Sequence, residues 1–314
     1  MTTVRIRAAA KVNPTLHVLA RRDDGFHEVD TTLMALELAD ELELSASESP
    51  GVQLTCDGPF ASADIPTDAR NLAFAAARAA FDRAAHEADG GSLPAGIRLR
   101  LTKNIPSQAG LGGGSSDAAA AWRGVETLLD VTLDRDARRA ALGALGSDCV
   151  FFGDAVNTGV ARCTGRGERV VELAAPPADW VVALVTPAVP CPTGAIYSAW
   201  AASLSASTDP ATVPAPPLTL PARQARAGLH NDLESAALVA VPELRAWRAV
   251  LADAGASDFL LSGSGSSFFG LFDDDQEAAR ILDRVRSGAS EAGLAHRGTW
   301  VTRPAGCLTP PTRS

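Results

Sequence analysis

The stretch that most constrains the fold of this chain is a glycine-rich segment at residues 103–117, which reads KNIPSQAGLGGGSSD. It follows a short segment in which apolar residues alternate with arginine and it precedes a run of alanines, so the pattern predicts a loop between a strand and a helix. The glycines at 110, 112, 113 and 114 lack a Cβ atom, so their backbone can adopt positive φ and bring several N–H groups together. The helix, expected to begin at about Ser116, adds its free N–H groups and the positive end of its dipole. The segment therefore predicts a phosphate-binding site.

Three other interpretations of this segment compete with a phosphate site: a Walker A loop, a dinucleotide fingerprint and a flexible linker. A Walker A loop requires glycine followed by lysine, a pair that does not occur in this chain. A dinucleotide fingerprint would need a glycine in place of Ser115 and a strand that runs straight into the first glycine, whereas Pro106 interrupts that run. A flexible linker is normally longer and does not pass into an alanine-rich helix. Another anion-binding or dinucleotide role stays open on these residues alone.

Composition sets the broad class of the protein. A chain of 314 residues, 46% hydrophobic and 21% charged, is long enough for two lobes and close to the globular average. Its net charge of −9 and the lack of a dense basic run argue against a nucleic-acid surface. The five cysteines are odd in number and never spaced as C-x-x-C, which favours a reducing cytoplasm, and no 18-residue apolar run predicts a membrane span.

Lysine is rare in this chain. Of 28 basic residues only two are lysines, Lys11 and Lys103, and the rest are arginines. Each lysine therefore marks a place where a compact ammonium is preferred to a planar guanidinium. Lys103 begins the glycine-rich segment, but at the end of a strand it is interpreted as a solvated charge without a catalytic role.

Hydrophobic periodicity gives an outline of the secondary structure. Two short strands at 3–10 and 15–20 are expected, with a bend at Pro14, because proline disrupts a central strand. The remaining predicted elements are paired strands within 29–44, strands at 52–56, 97–101 and 180–185, a hairpin turning at 165–167, and helices at 70–88, 116 onward and 134–145. A proline-punctuated loop or linker follows at 210–221, then a capping box at Asn231 and Glu234, and a final β-β-α-β unit over 258–302.

Three motifs in this order resemble the GHMP kinases. They are Ala10-Lys11-Val12-Asn13 near the start, residues 106–116 in the middle, and Ser262-Gly263-Ser264-Gly265 near the end. Further matches are the turn DGFH at 24–27, the triple glycine before two serines, GSD at 146–148, and NDLE at 231–234. The resemblance covers most of the chain.

The resemblance implies an α+β, two-lobed GHMP kinase fold. Its N-terminal lobe would be like ribosomal protein S5 domain 2 and its C-terminal lobe ferredoxin-like, with residues 1–175 forming the ATP-binding and catalytic lobe, 176–303 the second lobe, and 304–314 a tail. The implied activity is ATP- and Mg²⁺-dependent phosphorylation of an alcohol. The most specific motifs favour members that phosphorylate the 2-hydroxyl of a cytidine-diphosphate-linked methylerythritol in non-mevalonate isoprenoid synthesis. A cytoplasmic monomer or weak homodimer acting on a small molecule is expected.

The resemblance also implies roles for individual residues. Asp148 is expected to be the general base and Lys11 the cation beside it. ATP is assigned to Pro106, Ser107, Gln108, Ala109, Gly110, Leu111, Gly112, Gly113, Gly114, Ser115 and Ser116, with one of the two serines near magnesium. Binding of the acceptor is assigned to Asn13, Phe26, His27, Thr193 and Tyr197. Phe26 and Tyr197 are expected on either side of a cytosine ring, with His27 at its edge. The turn at 263–265 is expected to face the phosphates.

Five residues depart from the family pattern: Ala9, Pro14, Phe26, and the pair Gln108-Ala109. They bear on the choice of acceptor more than on the fold. Two alternatives stay open, namely another GHMP kinase with a homoserine-, mevalonate- or sugar-type acceptor, and a nucleotide-binding protein without catalysis. Both Lys11 and Asp148 are present, which disfavours the second.

Overall fold

The computed structural model of the chain describes residues 2–87, 93–203 and 218–313. Residues 210–217 of the loop or linker predicted at 210–221 lie outside the described residues, as does Ala88 at the end of a predicted helix, whereas Pro221 is described and precedes a short helix at Ala222–Ala225. The strands of the described part are β1 (Thr3–Arg21), β2 (His27–Ser47), β3 (Gly51–Asp57), β4 (Gly96–Thr102), β5 (Val160–Gly165), β6 (Arg169–Glu172), β7 (Val181–Pro187), β8 (His230–Asn231), β9 (Leu260–Leu261), β10 (Phe268–Phe272), β11 (His296–Thr302) and β12 (Thr312–Arg313).

The helices of the same residues lie mainly between these strands. They are α1 (Leu72–Glu87), α2 (Gly113–Leu129), α3 (Arg135–Leu145), α4 (Ser147–Asp154), α5 (Thr193–Ser203), α6 (Ala222–Ala225), α7 (Leu233–Ala240), α8 (Glu243–Asp253) and α9 (Asp275–Glu291), with a 3₁₀ turn at Arg226–Gly228. Within the described ranges, none of these helices combines the length and the apolarity that a membrane crossing requires.

The larger sheet has the order β12-β1-β2-β4-β3, with β5 beside β2, β6 beside β5 and β8 beside β1. The prediction of two short strands around Pro14 is wrong, because β1 runs unbroken for 19 residues. Its register against β2 shifts between Val12 and Thr15, so Pro14 lies in a bulge, where a missing N–H costs no ladder hydrogen bond. The paired strands predicted within 29–44 are one long strand, β2, which pairs with β1, β4 and β5.

Helix α2 packs closely on this sheet. Its buried face begins with the four alanines 118–121, whose small side chains permit a short distance between helix and strands. A Cβ atom at Gly124 would lie 2.6 Å from Cδ1 of Leu44 on β2, so only glycine fits there. The start of α2, which carries the end of the glycine-rich segment, is therefore held rigidly against the sheet.

The smaller sheet has the order β11-β7-β10-β9 and packs against α8 and α9. The predicted β-β-α-β unit is confirmed as β9, β10, α9 and β11. A third apolar cluster joins the two sheets through β1, β2, β7 and β10, with Ala10, Val12, Met34, Leu36, Val182, Leu184, Phe269 and Leu271 among its members. This contact brings the part of β1 around Lys11 and the turn before β10 against the glycine-rich segment, where the Lys11 N–H donates to the Leu111 carbonyl and Ser262 Oγ donates to the Gly110 carbonyl.

The predicted lobe boundaries stay a proposal. Strand β7 begins the smaller sheet at Val181, soon after the proposed boundary at 175. Two later segments return to the larger sheet: β8 pairs with β1 in parallel, and β12 pairs with β1 in antiparallel fashion. Leu308, within the segment proposed as a tail, is buried in the core of the larger sheet.

Candidate active site

The glycine-rich loop connects β4 to α2, and two of its glycines are required by geometry. Gly110 has φ 76° and Gly112 has φ 68°. A Cβ atom at Gly110 would lie 2.2 Å from the carbonyl oxygen of Ser262, and one at Gly112 would lie 2.8 Å from Cγ of Lys11. The prediction that the helix begins at about Ser116 is wrong, because α2 begins at Gly113. Gly113 and Gly114 therefore have helical backbone angles and do not need positive φ. Their N–H groups belong to the first turn of the helix, where no helical carbonyl precedes them as a partner.

The loop forms one wall of a cavity of about 740 Å³. Residues 106–115 line it, whereas Ser116 is 3% exposed and lies behind them. The opposite wall comprises residues 60–66 and 70–72, which sequence analysis missed. The sequence signal for part of this wall was Asn71, a residue type that caps helices, at the start of the helix predicted over 70–88. In the structure Asn71 Oδ1 accepts the N–H of Ala73, and Asn71 Nδ2 donates to the Pro66 carbonyl.

A second cavity, of about 550 Å³, contains the two residues expected to be catalytic. Lys11 Nζ donates to Asn13 Oδ1 at 2.6 Å and lies 3.5 Å from Asp148 Oδ2. Asn13 Nδ2 donates to Thr31 Oγ1 at 2.9 Å, which fixes the orientation of the amide. The Lys11 N–H donates to the Leu111 carbonyl at 2.8 Å, so the backbone of β1 is tied to the glycine-rich loop. The structure thus brings Lys11, Asn13 and Asp148 together.

The two cavities meet at the glycine-rich loop. Gln108, Gly110 and Gly112 line both of them. Asp148 lies in the first turn of α4, on the side of the second cavity. A group held in the first cavity next to Gly112 is therefore adjacent to Lys11, whose Cγ touches that glycine's position.

A third cavity, of about 660 Å³, holds the expected aromatic residues. Phe26, His27, Thr193 and Tyr197 line it, and the last two also line the second cavity. Thr193 and Tyr197 are one turn apart on α5, so they face the same side. Burial, with a smaller effect of the Asp148 charge, raises the pKa of Tyr197 to about 12, so this side chain stays neutral at physiological pH.

The rings in the third cavity do not stand alone. His27 stacks on Tyr197 with ring centroids 5.0 Å apart, and the guanidinium of Arg166 lies 4.7 Å from the centre of the Phe26 ring. One face of the Tyr197 ring and one face of the Phe26 ring are therefore already covered within the protein. His27 Nε2 is buried without a hydrogen-bond partner among the described residues, and burial and the charge of Arg21 lower the pKa of His27. A neutral imidazole suits hydrogen bonding to the edge of an uncharged base.

The interpretation of Lys103 as a solvated charge is wrong. Lys103 is 4% exposed, and its Nζ forms an ion pair with Asp117 at 2.7 Å and another with Asp40. Asp40 also accepts the N–H groups of Asn104 and Ile105, at the start of the glycine-rich loop. Burial opposes the charge on Lys103, yet the two carboxylates outweigh it and raise the pKa of this ammonium. We call Asp40, Lys103 and Asp117 the buried triad.

Sequence analysis missed both acids of the buried triad. Asp40 is a fully buried acid inside the apolar strand β2, and Asp117 is a buried acid in the first part of an alanine-rich helix. An acid at an otherwise apolar position was the available signal, because charged groups are rarely buried unless they are paired. Its partner was visible only in the fold, since 63 residues separate Asp40 from Lys103 along the chain.

The turn 262–266 covers the glycine-rich loop from the smaller sheet. Ser262 Oγ donates to the Gly110 carbonyl at 3.0 Å, and Gly263 and Gly265 line the second cavity. The predicted capping box at 231–234 does not form. Asn231 instead donates to the carbonyls of Leu261 and Gly263, so this motif fixes the turn.

Known proteins resemble the chain in both sequence and fold. Residues 71–155 match the model of the GHMP kinases N terminal domain, and residues 218–291 match the model of the GHMP kinases C terminal. The chain is 34% identical over 287 residues to a protein of Shouchella clausii named 4-diphosphocytidyl-2-C-methyl-D-erythritol kinase, with 91% of each chain covered. It is 37% identical over 287 residues to a protein of the same name from Citrifermentans bemidjiense, covering 91% of this chain and 95% of the relative.

A solved structure gives the same result. The crystal structure of a 4-(cytidine 5'-diphospho)-2C-methyl-D-erythritol kinase superposes with a TM-score of 0.71 at 32% identity, covering 96% of this chain and all of that one. The chain therefore belongs to the GHMP kinases, a family of small-molecule kinases. The family and the α+β, two-lobed fold expected from the motifs are confirmed.

Proposed function

We propose that this protein transfers the γ-phosphoryl group of ATP to the 2-hydroxyl of 4-diphosphocytidyl-2-C-methyl-D-erythritol. The names of its relatives support the acceptor. The observation that carries the chemistry is the meeting of two cavities at Gly110 and Gly112, with Lys11 and Asp148 beside the junction. Phosphoryl transfer needs a donor and an acceptor in line, and two adjoining cavities can hold one each.

The first cavity is proposed to bind ATP. Its loop offers the backbone N–H groups at the start of α2, which suit a phosphate chain. Of the two serines considered for magnesium, Ser115 lines the cavity and Ser116 is buried, so Ser115 is the proposed contact. Asp117 fits a nearby cation as well, because its Oδ1 is buried and lacks a hydrogen-bond partner among the described residues, and a bound cation would displace the proton that burial otherwise favours on this carboxyl. Magnesium bound there with ATP would neutralise phosphate charge.

Asp148 is proposed to accept the proton of the attacking hydroxyl. Its side chain is 35% exposed and faces the second cavity, where an acceptor has access to it. Lys11 is proposed to stabilise the negative charge that develops on the hydroxyl oxygen, because its ammonium is fixed by Asn13 at 2.6 Å and lies 3.5 Å from Asp148. A cation held in place before the reaction costs no reorganisation when the charge forms.

The remaining acceptor contacts follow from the second and third cavities. Asn13 and Thr193 are proposed to hold the methylerythritol part near Asp148. Phe26 and Tyr197 are proposed to stack the cytosine on their open faces, and His27 to bond its edge through the unpartnered Nε2. Phe26, at 53% exposure, has the accessible surface that such stacking requires.

A coupled assay of ADP release tests this proposal. The purified protein is supplied with ATP and, in separate reactions, the diphosphocytidyl methylerythritol, homoserine, mevalonate and simple sugars. We expect turnover with the first acceptor alone. Turnover with homoserine or mevalonate in its place would contradict the proposed acceptor and keep the kinase. No ADP release with any alcohol would support nucleotide binding without catalysis.

A further inference from the structure

Arg166 is a cation at the second and third cavities, and the proposed function gives it no role. It occupies the turn between β5 and β6 and lines both the second and the third cavity. Its side chain is half-buried, which makes an unpaired charge costly. Its guanidinium stacks 4.7 Å from the Phe26 ring centre.

Two acids in the neighbourhood of Arg166, Glu168 and Asp24, are bound to other groups. Among the described residues, no carboxylate lies within salt-bridge distance of its guanidinium. Glu168, two residues along, accepts the backbone N–H of Arg166 at 2.6 Å. Asp24, next to the aromatic pair, accepts hydrogen bonds from Arg22 and from the N–H of Phe26. A guanidinium carries five N–H donors, and here they are left available to a ligand.

The position of Arg166 identifies which part of an acceptor it meets. The second cavity contains the reacting groups Lys11 and Asp148, and the third contains Phe26 and His27. Four residues line both cavities, and only Arg166 among them is charged; the other three are Val29, Thr193 and Tyr197. In a diphosphate-linked nucleoside alcohol, the diphosphate lies between the base and the polyol. The cation between the two cavities therefore coincides with the anion between the two ends of such an acceptor.

The turn is also fixed relative to the reacting groups. A Cβ atom at Gly167 would lie 3.2 Å from Cβ of Ser147, the first residue of the helix that carries Asp148. The guanidinium is braced on its other side by Phe26. The planar guanidinium, stacked on Phe26 and carried by this fixed turn, can donate to two phosphate oxygens with little loss of side-chain freedom.

We propose that Arg166 binds the diphosphate of the acceptor and selects phosphate-linked acceptors over neutral alcohols. This inference rests on the proposed function, because it presumes a cytidine-type ligand in the third cavity. Arg166 is thereby a specificity-determining residue, and it takes no part in the proton transfer.

Calorimetric titration with CDP and with cytidine tests the proposal. A saturating non-hydrolysable ATP analogue is present throughout, so that CDP is kept out of the first cavity. The wild type is expected to bind CDP at least about 10-fold more tightly than cytidine, the scale of a charge-assisted hydrogen bond. In Arg166→Ala the preference for CDP disappears and the affinity for cytidine stays within about twofold of wild type. Arg166→Lys retains part of the preference, since it keeps the charge and loses the fork.

A matched control is Arg169→Ala, which removes an exposed arginine three residues along the same hairpin and should leave the affinity for CDP unchanged. If Arg166→Ala weakens cytidine and CDP equally, the guanidinium only supports Phe26 and the proposal is wrong. Unchanged CDP affinity in that variant also overturns it. If the wild type binds neither ligand, the proposed function itself fails and the proposal falls with it.

Discussion

The only two lysines of the chain occupy two sites that look alike in composition and differ in surroundings. Their side chains are 6% and 5% exposed, and both lie within salt-bridge distance of aspartate. Lys11 has Asp148, whose side chain is 35% exposed and faces a cavity. Lys103 has Asp40 and Asp117, whose side chains are 0% and 4% exposed.

This difference supports the proposed reacting role of Lys11 and Asp148 and a structural role for Lys103. Lys11 and Asp148 are 3.5 Å apart, and an acceptor hydroxyl from the cavity can approach both. Lys103 is paired with two buried acids, of which Asp40 also holds the loop backbone and Asp117 belongs to α2, so its ammonium ties these elements together. Substitutions at the first site should change rates, and substitutions at the buried triad should change stability.

The largest expected effect is on turnover in Asp148→Asn. The amide keeps the shape of the side chain and cannot accept the proton, so kcat should fall by about 10² or more, the usual scale for a general base. Thermal unfolding and calorimetric ATP binding should resemble wild type, because Asp148 is partly solvated. Steady-state kinetics provides the rate. Turnover close to wild type would remove Asp148 from the mechanism.

The next effect is on stability in Lys103→Met. Removing the ammonium leaves two buried carboxylates side by side, and breaking a buried ion pair costs about 3–5 kcal/mol of unfolding free energy. Urea unfolding followed by circular dichroism measures this loss. Lys103→Arg, which a solvated lysine would tolerate, should also be destabilising, because the wider guanidinium does not fit the closed triad. A loss below about 1 kcal/mol in both variants would contradict the assigned support role.

Lys11→Arg should reduce the reaction rate and leave stability nearly unchanged, the opposite of what is expected for the Lys103 variants. We expect a loss of about 2–4 kcal/mol in transition-state stabilisation, comparable with loss of one oxyanion donor, because the planar fork cannot replace a point charge between Asn13 and Asp148. The melting temperature should change little. The measurements are kcat/KM and differential scanning calorimetry. Equal kinetic tolerance of arginine at both lysines would show that the two sites do not differ in function.

A smaller effect distinguishes two glycines of the loop. In Gly112→Ala the new Cβ lies 2.8 Å from Lys11 Cγ at a backbone with φ 68°, so both strain and displacement of Lys11 are expected. The strain alone costs about 1–2 kcal/mol. In Gly114→Ala the nearest atom is 3.7 Å away in a helical turn, so stability should be kept or raised by up to about 1 kcal/mol. Thermal unfolding and kcat of both variants check the contrast.

The smallest expected effect is the pH dependence of the buried triad. Burial raises the pKa of Asp117 by more than the charge of Lys103 lowers it. The folded state therefore holds this proton more tightly than the unfolded chain does. The stability that follows is complete below the ordinary value of 3.8 and is lost as pH rises through the raised pKa.

Asp117→Asn removes that dependence and keeps an oxygen for Lys103. Urea unfolding at about pH 5 and about pH 8 should show a steeper loss of stability with rising pH in the wild type than in the variant, by on the order of 1 kcal/mol. Lys103 does not obscure the comparison, since its raised pKa lies above 10.5 and its stabilisation persists throughout this range. Parallel pH profiles would mean that Asp117 is ionised in the folded protein.

Local pattern was sufficient for the elements with strong periodicity. The helix with its cap at Asp134 and end at Gly146 is confirmed as α3, and the final β-β-α-β unit has the predicted order. Pattern failed where pairing decides the outcome. Pro14 predicts a break in an isolated strand, yet β1 continues across it because a bulge in its pairing with β2 absorbs the residue that cannot donate.

The same limit applies to the helix that carries the loop. Glycine is a poor helix former, so helix propensity predicts that α2 begins near Ser116, after the last glycine. Packing against the sheet begins α2 three residues earlier, at Gly113. Likewise, Asn231 and Glu234 have the spacing of a capping box, but Glu234 is drawn to Arg248 and to the N–H of Leu261.

The sequence by itself determined the family and the glycine-rich loop, because these depend on short motifs that can be recognised without the fold, and it singled out Lys11 as one of only two lysines. The tertiary structure alone decided what surrounds each charge. Burial and long-range partners separate Lys103, with Asp40 and Asp117, from a solvated lysine, and they place Arg166 between two cavities. The physical reason is that the energy of a charge depends on its solvation and on neighbours that are distant along the chain.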